Sequence, residues 1–160
     1  SRKLFTLSAI YSACSSLQGT ENVDSVETAA AACQAYWDEI AKYIPEWHYV
    51  RQSKMSAGEV RRDFIHSHSI VLQALGTAGR KLLAEHPDDW RERLKSLKDV
   101  DWARSNSYLW EGRAMVGGRV QKGSHNVTLT TNLIKNRVGL DLTPEEARAE
   151  AAFQRGDHVD

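Results

Sequence analysis

The sequence lacks any apolar run long enough to cross a membrane, and it has few of the residues that cross-link small folds. Its longest apolar stretches, within residues 25–35 and 70–78, are interrupted by polar side chains, whereas a membrane helix needs about 18 apolar residues in a row. Two cysteines, Cys14 and Cys33, are too few for a disulfide framework and indicate reduced, structural thiols. No signal-peptide pattern follows Ser1. We therefore expect a cytoplasmic protein with no membrane partner.

An excess of one charge is also absent, which excludes a uniformly basic coat of the histone kind. The 160 residues include 21 Lys and Arg against 21 Asp and Glu, and 41% of them are hydrophobic. These values are typical of a globular protein, and the length fits one domain. The chain begins without Met in the middle of a helical pattern. We therefore expect residues 1–160 to form a single domain at the C-terminal end of a longer protein.

Alternating β-type patterns are nearly missing, and helical spacing takes their place. Apolar side chains recur every three or four positions in residues 4–17, 26–44, 70–83 and 126–138. Helix starts are marked by Ser56 with Glu59, and by Thr143 with Pro144 at the first helical position. The expected fold class is all-α, a single compact domain of about six or seven helices. The pattern permits one short strand or hairpin around residues 115–121.

Glycine and tryptophan predict how the core is packed. Gly76 and Gly79 lie inside a helical segment, where they lower helix stability, so we expect them to allow close helix–helix contact. Most tryptophans lie at helical spacing, and we expect most of them in the core. Trp102 and Trp110 also flank a polar, basic segment, so one of them is a candidate for stacking on a base.

Charge is concentrated by region although it balances overall. Residues 103–138 carry six Arg and Lys side chains against Glu111 alone, whereas residues 21–47 carry six acidic side chains against Lys42. Residues 141–160 hold six acidic side chains against two arginines. This asymmetry favours a face that binds an anion, and nucleic acid is the commonest large candidate. The alternative is a solvated surface whose charges cancel in space.

Residues 110–123 form the most unusual stretch, because they combine glycines with arginines. Gly117 and Gly118 allow backbone amides to approach a phosphate, and Arg113 and Arg119 can grip it with paired hydrogen bonds. The alternative is a tight turn with ordinary surface arginines. The candidate DNA-binding residues are Arg104, Asn106, Arg113, Arg119, Lys122, Lys135 and Arg137. The first two of these also suit the edges of guanine and adenine.

A metal site has little support in the sequence. Asp63, His66 and His68 form the only metal-like cluster, and His86 or His125 could complete it from elsewhere. Alternating histidines diverge on a helix, so these side chains converge only if the segment is extended. The residue orders typical of nucleophilic or paired-carboxylate catalysis do not stand out. We therefore expect no bound metal and no cofactor, and we favour a role other than catalysis.

Several segments resemble one protein family. They are Ser1 to Tyr11, Ile70 to Gly76, Val100 to Asn106, Trp110 to Ala114 and Thr130 to Glu146. Together they resemble the C-terminal helical region of the DndB family, which consists of DGQHR-type proteins of DNA sulfur modification. The Asp-Gly-Gln-His-Arg motif itself does not occur in this sequence. Nothing that this motif does can therefore be assigned to these residues.

The resemblance implies a role beside DNA phosphorothioation, in which sulfur replaces a non-bridging phosphate oxygen. It implies a DNA-binding regulator that represses its operon rather than the enzyme of sulfur transfer. The expected partners are double-stranded DNA, other DNA sulfur modification proteins and further copies of the chain in a homo-oligomer. Two alternatives stay open. One is a metal- or nucleotide-dependent enzyme acting on DNA phosphates, and the other is a protein-interaction module of a restriction-modification assembly.

Overall fold

Helices dominate the computed structural model, which describes residues 3–18 and 26–156. The α-helices are α1 (Leu7–Gln18), α2 (Val26–Ala41), α3 (Pro45–Arg51), α4 (Ala57–Asp63), α5 (Ser69–Glu85), α6 (Trp90–Leu94), α7 (Ser107–Trp110), α8 (Ser124–Arg137) and α9 (Pro144–Gln154). A 3₁₀ helix covers Lys95–Asp99, and β1 (Met115–Val116) pairs antiparallel with β2 (Arg119–Val120). The prediction of an all-α domain with one short hairpin is confirmed. The described residues hold nine α-helices rather than six or seven, because α3, α6 and α7 are at most two turns long.

Helix α5 is the centre of the fold. Nine of its 17 residues are buried, which is more than one face of a surface helix would bury. Helices α1 and α8 both pack against it, and the buried part of α8 runs from Leu129 to Lys135. None of the helices in residues 3–18 and 26–156 has the length and apolar character that crossing a membrane requires.

The two glycines of α5 make close contacts with other helices, as the sequence predicts. A side-chain carbon added at Gly76 would lie 2.6 Å from the carbonyl oxygen of Ala13 on α1. One added at Gly79 would overlap the ring of Tyr36 on α2, whose hydroxyl donates to the carbonyl of Leu75 at 2.5 Å. Any larger side chain would therefore separate α5 from α1 or α2.

Both predicted helix starts are formed by reciprocal caps. Ser56 accepts from the amide of Glu59 at 3.1 Å, and Glu59 accepts from the amide of Ser56 at 2.8 Å. Thr143 and Glu146 make the same pair of bonds at the start of α9, with Pro144 at the first helical position. These bonds satisfy amides that have no partner within the helix.

A strand-like crossing joins the end of α4 to the segment that precedes α7. Phe64 pairs with Ala103 in an isolated antiparallel bridge. Beside this bridge, the amide of Ile65 donates to the carbonyl of Trp102, and the amide of Arg104 donates to the carbonyl of Asp63, each at 2.9 Å. The crossing places Arg104 next to the end of α4.

Most tryptophans lie in the core, as expected. Trp90, Trp102 and Trp110 are buried, and the other two are partly buried against the same core. The cysteines are both free thiols, and their sulfur atoms lie 3.4 Å apart between α1 and α2. Burial is the main cause that raises the pKa of Cys33 to about 11, so this thiol is protonated at neutral pH.

Candidate nucleic-acid interface

The seven residues predicted to bind DNA lie in four separate places. Three lie on or beside the β1–β2 hairpin, two are buried between α8 and α9, one ends α8 and one caps α7. The hairpin group consists of Arg104, Arg119 and Lys122, and the buried pair is Arg113 and Lys135. Arg137 ends α8, and Asn106 caps α7. Because α8 has 14 residues, its two ends are about 20 Å apart. The seven residues therefore do not form one surface.

The hairpin carries two exposed cations, Arg119 next to the glycine tip and Lys122 two residues after β2, and Arg104 contacts the tip. We call Arg104, Arg119 and Lys122 the hairpin corner. Arg119 and Lys122 are exposed, and neither side chain forms a hydrogen bond or ion pair with another residue in the described ranges. Arg104 is half-buried, and its guanidinium donates to the carbonyls of Arg61 and Gly118, each at 3.1 Å. Arg104 therefore holds the hairpin tip against the end of α4, while Arg119 and Lys122 stay available.

The glycine turn at the hairpin tip is open, but its amides are already bound. Gly117 and Gly118 have φ angles of 61° and 75°, as two-residue hairpin turns commonly require at both central positions. The carboxylate of Glu111 accepts hydrogen bonds from both amides. A phosphate at this turn would therefore meet side-chain cations before it met free backbone amides.

Arg113 and Lys135 belong to what we call the ion-pair layer, which consists of Arg113, Lys135, Glu146 and Glu150. Arg113 is 3% exposed, and its guanidinium donates to both carboxylate oxygens of Glu150 and, at 2.7 Å, to the carbonyl of Leu129. Lys135 is 7% exposed and donates to Glu146 at 2.6 Å. Neither cation is offered to a phosphate in this conformation, although both were predicted as DNA-binding residues.

Both acids of the ion-pair layer are held in the charged form. Burial would raise the pKa of Glu150, but the hydrogen bond and charge of Arg113 outweigh it, and the pKa lies below its ordinary value. Burial also opposes the shift at Glu146, where the hydrogen bonds from Lys135 and from the amide of Thr143 lower the pKa. The two buried cations are thus neutralised inside the fold.

The residues of the metal-like cluster have separate partners. Asp63 pairs with a neighbouring arginine at the surface. His66 is fully buried among aromatic rings, and burial lowers its pKa. Nε2 of His68 lies 2.7 Å from the carbonyl oxygen of Arg61, to which it donates. Within residues 3–18 and 26–156, no group of three His, Cys, Asp or Glu side chains is placed to hold a metal ion.

Tyr108 is an exposed aromatic that the sequence analysis missed. It is 91% exposed, whereas Trp110 in the same helical turn is fully buried. Trp102 and Trp110 stack on each other in the core with ring centroids 5.6 Å apart, so neither is available to a base. Two positions in a helix differ by about 200° in direction. In the sequence Tyr-Leu-Trp, a tryptophan in the core therefore predicts that the tyrosine two positions earlier faces outward.

Comparison with known protein families agrees with the resemblance seen in the sequence. The model of the DndB family, described as DNA-sulfur modification-associated, matches residues 1–141. No curated protein and no solved structure matches the chain. The matched range includes the hairpin corner and all of α8, and it ends before α9 begins.

Proposed function

The chain belongs to the DndB family of DNA-sulfur modification-associated proteins, and on that premise we propose that it binds duplex DNA through the hairpin corner. The proposed role is that of a cytoplasmic regulator that represses the operon of a DNA phosphorothioation system. A protein bound at a promoter can block transcription without any chemical step, so this role requires only binding at the right place. The proposed partners are double-stranded DNA and other DNA sulfur modification proteins.

The observation that carries this proposal is the availability of two cations on the hairpin, Arg119 next to the glycine turn and Lys122 just after β2. Both are exposed, and neither side chain has a partner among the described residues. The tip beside Arg119 is bound by Arg104, which donates to the carbonyl of Gly118. Duplex DNA presents phosphates along its whole surface, so each of these cations can neutralise one phosphate.

Contact with phosphates has more support than the reading of bases. The side-chain oxygen of Asn106 accepts from the amide of Leu109 at 3.1 Å, and its nitrogen donates to Asp101 at 3.0 Å. Reading a base with Asn106 would therefore disrupt a helix cap worth about 1 kcal/mol. Arg104 is likewise committed to two carbonyls. Sequence selection then has to come from DNA shape or from other parts of the protein.

The experiment is a salt series of binding to labelled duplexes, measured by fluorescence anisotropy. The Arg119→Ala/Lys122→Ala variant should bind every duplex more weakly by a similar factor. Its slope of log affinity against log salt should be flatter by about two units, because each lost phosphate contact removes about 0.9. Arg148→Ala is the matched control, because Arg148 is an exposed arginine on the acidic helix α9. This control should keep the affinity and slope of the wild type.

Two results would overturn the proposal. If the folded double variant keeps the wild-type affinity and salt slope, the hairpin corner is not the DNA-binding surface. If the wild-type protein binds no duplex even at low salt, DNA binding itself is wrong. Circular dichroism of each variant shows whether the fold is intact, and the exposure of both side chains predicts that it is.

A further inference from the structure

A cavity of about 360 Å³ opens where α7, the end of α8 and the end of α9 meet. Its size lies within the range of about 300–1,000 Å³ that is usual for small-ligand sites. Apolar side chains such as Leu133 and Phe153 line it together with polar ones such as Asn136 and Arg137. The residues of the hairpin corner do not line it. The cavity is therefore separate from the proposed duplex-binding surface.

Tyr108 lines this cavity and supplies a flat ring at its mouth. Its side chain is 91% exposed although it lines the cavity, so the ring lies at the entrance rather than in the interior. Because Tyr108 and Trp110 share one helical turn, the burial of Trp110 places Tyr108 on the outward side of the helix. An exposed aromatic ring at the mouth of a cavity is a surface on which a planar ligand can stack.

Arg137 lines the same cavity and supplies an available cation. It is exposed, and its guanidinium has no partner within the described ranges. The carbonyl groups at this end of α8 are bound by other side chains. Ser96 donates to the carbonyl of Arg137 at 2.6 Å, and Arg93 donates to those of Val138 and Gly139. The guanidinium of Arg137 is thus free to bind an anion.

The floor of the cavity is close to neutral. The guanidinium of Arg113 lies 4.2 Å from the centre of the Phe153 ring and is paired with Glu150. Because Glu150 is neutralised by this pair, it repels an incoming anion only weakly. Asn136 is exposed beside Arg137, and its amide can both donate and accept a hydrogen bond.

From this arrangement we infer that the cavity binds a nucleoside monophosphate. The base stacks on Tyr108, its polar edge meets the amide of Asn136, and the phosphate pairs with Arg137. A stacking ring, an amide and a cation in one cavity match the plane, the edge and the phosphate of this ligand. The inference goes beyond duplex binding and does not depend on it, because the site is reached without the hairpin corner.

The same chemistry is offered by a free nucleotide and by an unpaired nucleotide of a DNA strand. The first measurement uses the four deoxynucleoside 5′-monophosphates and their nucleosides, titrated into the full chain by calorimetry. At least one monophosphate should bind, about tenfold more tightly than its nucleoside, because of the charge-assisted bonds to Arg137. Arg137→Ala should remove this difference and leave the affinity for the nucleoside unchanged.

Variants of the stacking ring test the other half of the site. Tyr108→Ala should weaken binding of nucleoside and monophosphate alike by about tenfold or more, since one base–aromatic stack is lost. Tyr108→Phe keeps the ring and should keep the affinity. Tyr11→Ala, which removes a tyrosine that is 73% exposed on α1, and Arg148→Ala are the matched controls. Both should bind as the wild type does.

Two further measurements identify the source of the ligand and distinguish the cavity from the hairpin corner. A short single-stranded oligonucleotide that displaces the monophosphate identifies a strand nucleotide as the ligand, and failure to displace it identifies a free nucleotide. Arg119→Ala/Lys122→Ala should bind the monophosphate normally, whatever it does to duplex binding. The inference is overturned if no monophosphate binds at millimolar concentration, if Tyr108→Ala and Arg137→Ala bind as the wild type does, or if the hairpin variant loses nucleotide binding.

Discussion

The ion-pair layer and the hairpin corner contain the same types of cation, arginine and lysine, but differ in what these cations bind. Arg113 is buried and bound to Glu150, whereas Arg119, six positions later, is exposed without a described partner. Lys135 is held by Glu146, whereas Lys122 is exposed. A local excess of positive charge in the sequence therefore contains two populations, one that stabilises the fold and one that can meet a ligand.

The turn that precedes β1 explains why Arg113 is buried while Arg119 is exposed. The amide of Arg113 donates to the carbonyl of Trp110 at 3.0 Å, so the chain turns inward just before β1. β1 and β2 then carry the chain out to the glycine tip and back, which leaves Arg119 outside. The hairpin thus separates Arg113, which is bound inside the fold, from Arg119, which is exposed.

The largest expected effect is on stability, when the ion-pair layer loses one member. Glu150→Ala should lower the free energy of unfolding by about 3–5 kcal/mol, because Arg113 stays buried without its carboxylate. Urea denaturation followed by circular dichroism measures this loss. Glu145→Ala, an exposed acid in the same helix, should cost less than about 1 kcal/mol. Equal losses in the two variants would show that the layer does not stabilise the fold.

A smaller loss is expected at the second pair of the layer. Lys135→Met keeps most of the buried chain but leaves Glu146 without its cation. The side chain of Glu146 is 19% exposed and so keeps some contact with water, and we expect a loss of about 1–2 kcal/mol. Lys122→Met is the control at the hairpin corner and should be nearly neutral in the same denaturation experiment. A loss at Lys122 as large as that at Lys135 would remove the contrast between the regions.

Acid should weaken the ion-pair layer selectively. The pKa values of Glu146 and Glu150 are lowered by folding. Their contribution to stability is therefore complete above the unfolded pKa of about 4.3 and is lost as the pH falls through the lower folded values. Thermal unfolding between pH 7 and pH 3 should show this loss. The apolar double variant Arg113→Met/Glu150→Leu should lose less stability over the same range, and a parallel loss would contradict the assignment.

The smallest expected effect on stability is at the hairpin corner itself. Arg119→Ala should change the free energy of unfolding by less than about 0.5 kcal/mol, because the side chain is exposed and forms no hydrogen bond or ion pair with a described residue. The same variant should flatten the salt slope of DNA binding by about one unit. If Arg119→Ala is destabilised and its DNA binding is unchanged, Arg119 stabilises the fold and does not bind DNA.

Local signals in the sequence predicted much of the fold. The cap of Ser56 and Glu59 and the Thr143-Pro144 start are short-range patterns, and both appear as hydrogen bonds. Gly76 and Gly79 were expected at close helix contacts and are found there. Each of these features depends on neighbours in the chain or on the periodicity of one helix, which a single sequence displays.

The candidate site is harder to predict from the sequence. Whether a cation is buried or exposed there depends on partners that lie far away in the chain. Glu150, which binds Arg113, lies 37 positions further along the chain. No pattern within residues 103–138 predicts that Arg113 binds this partner, so Arg113 and Arg119 look equivalent in the sequence. The sequence analysis considers Trp102 and Trp110, not Tyr108, as the rings that stack on a base. Both tryptophans are buried, because their large apolar area favours burial.

The carboxylate of Glu111 has a consequence for which anions the glycine tip can attract. It is joined by six positions of chain to the amide of Gly117 that it binds, so it competes there at an effective concentration on the order of millimolar or more. Dilute inorganic phosphate therefore gains little from these amides. Under the proposed function a polyanion is less affected, because its other phosphates pair with Arg119 and Lys122. The tip thus carries its own tethered competitor for dilute anions.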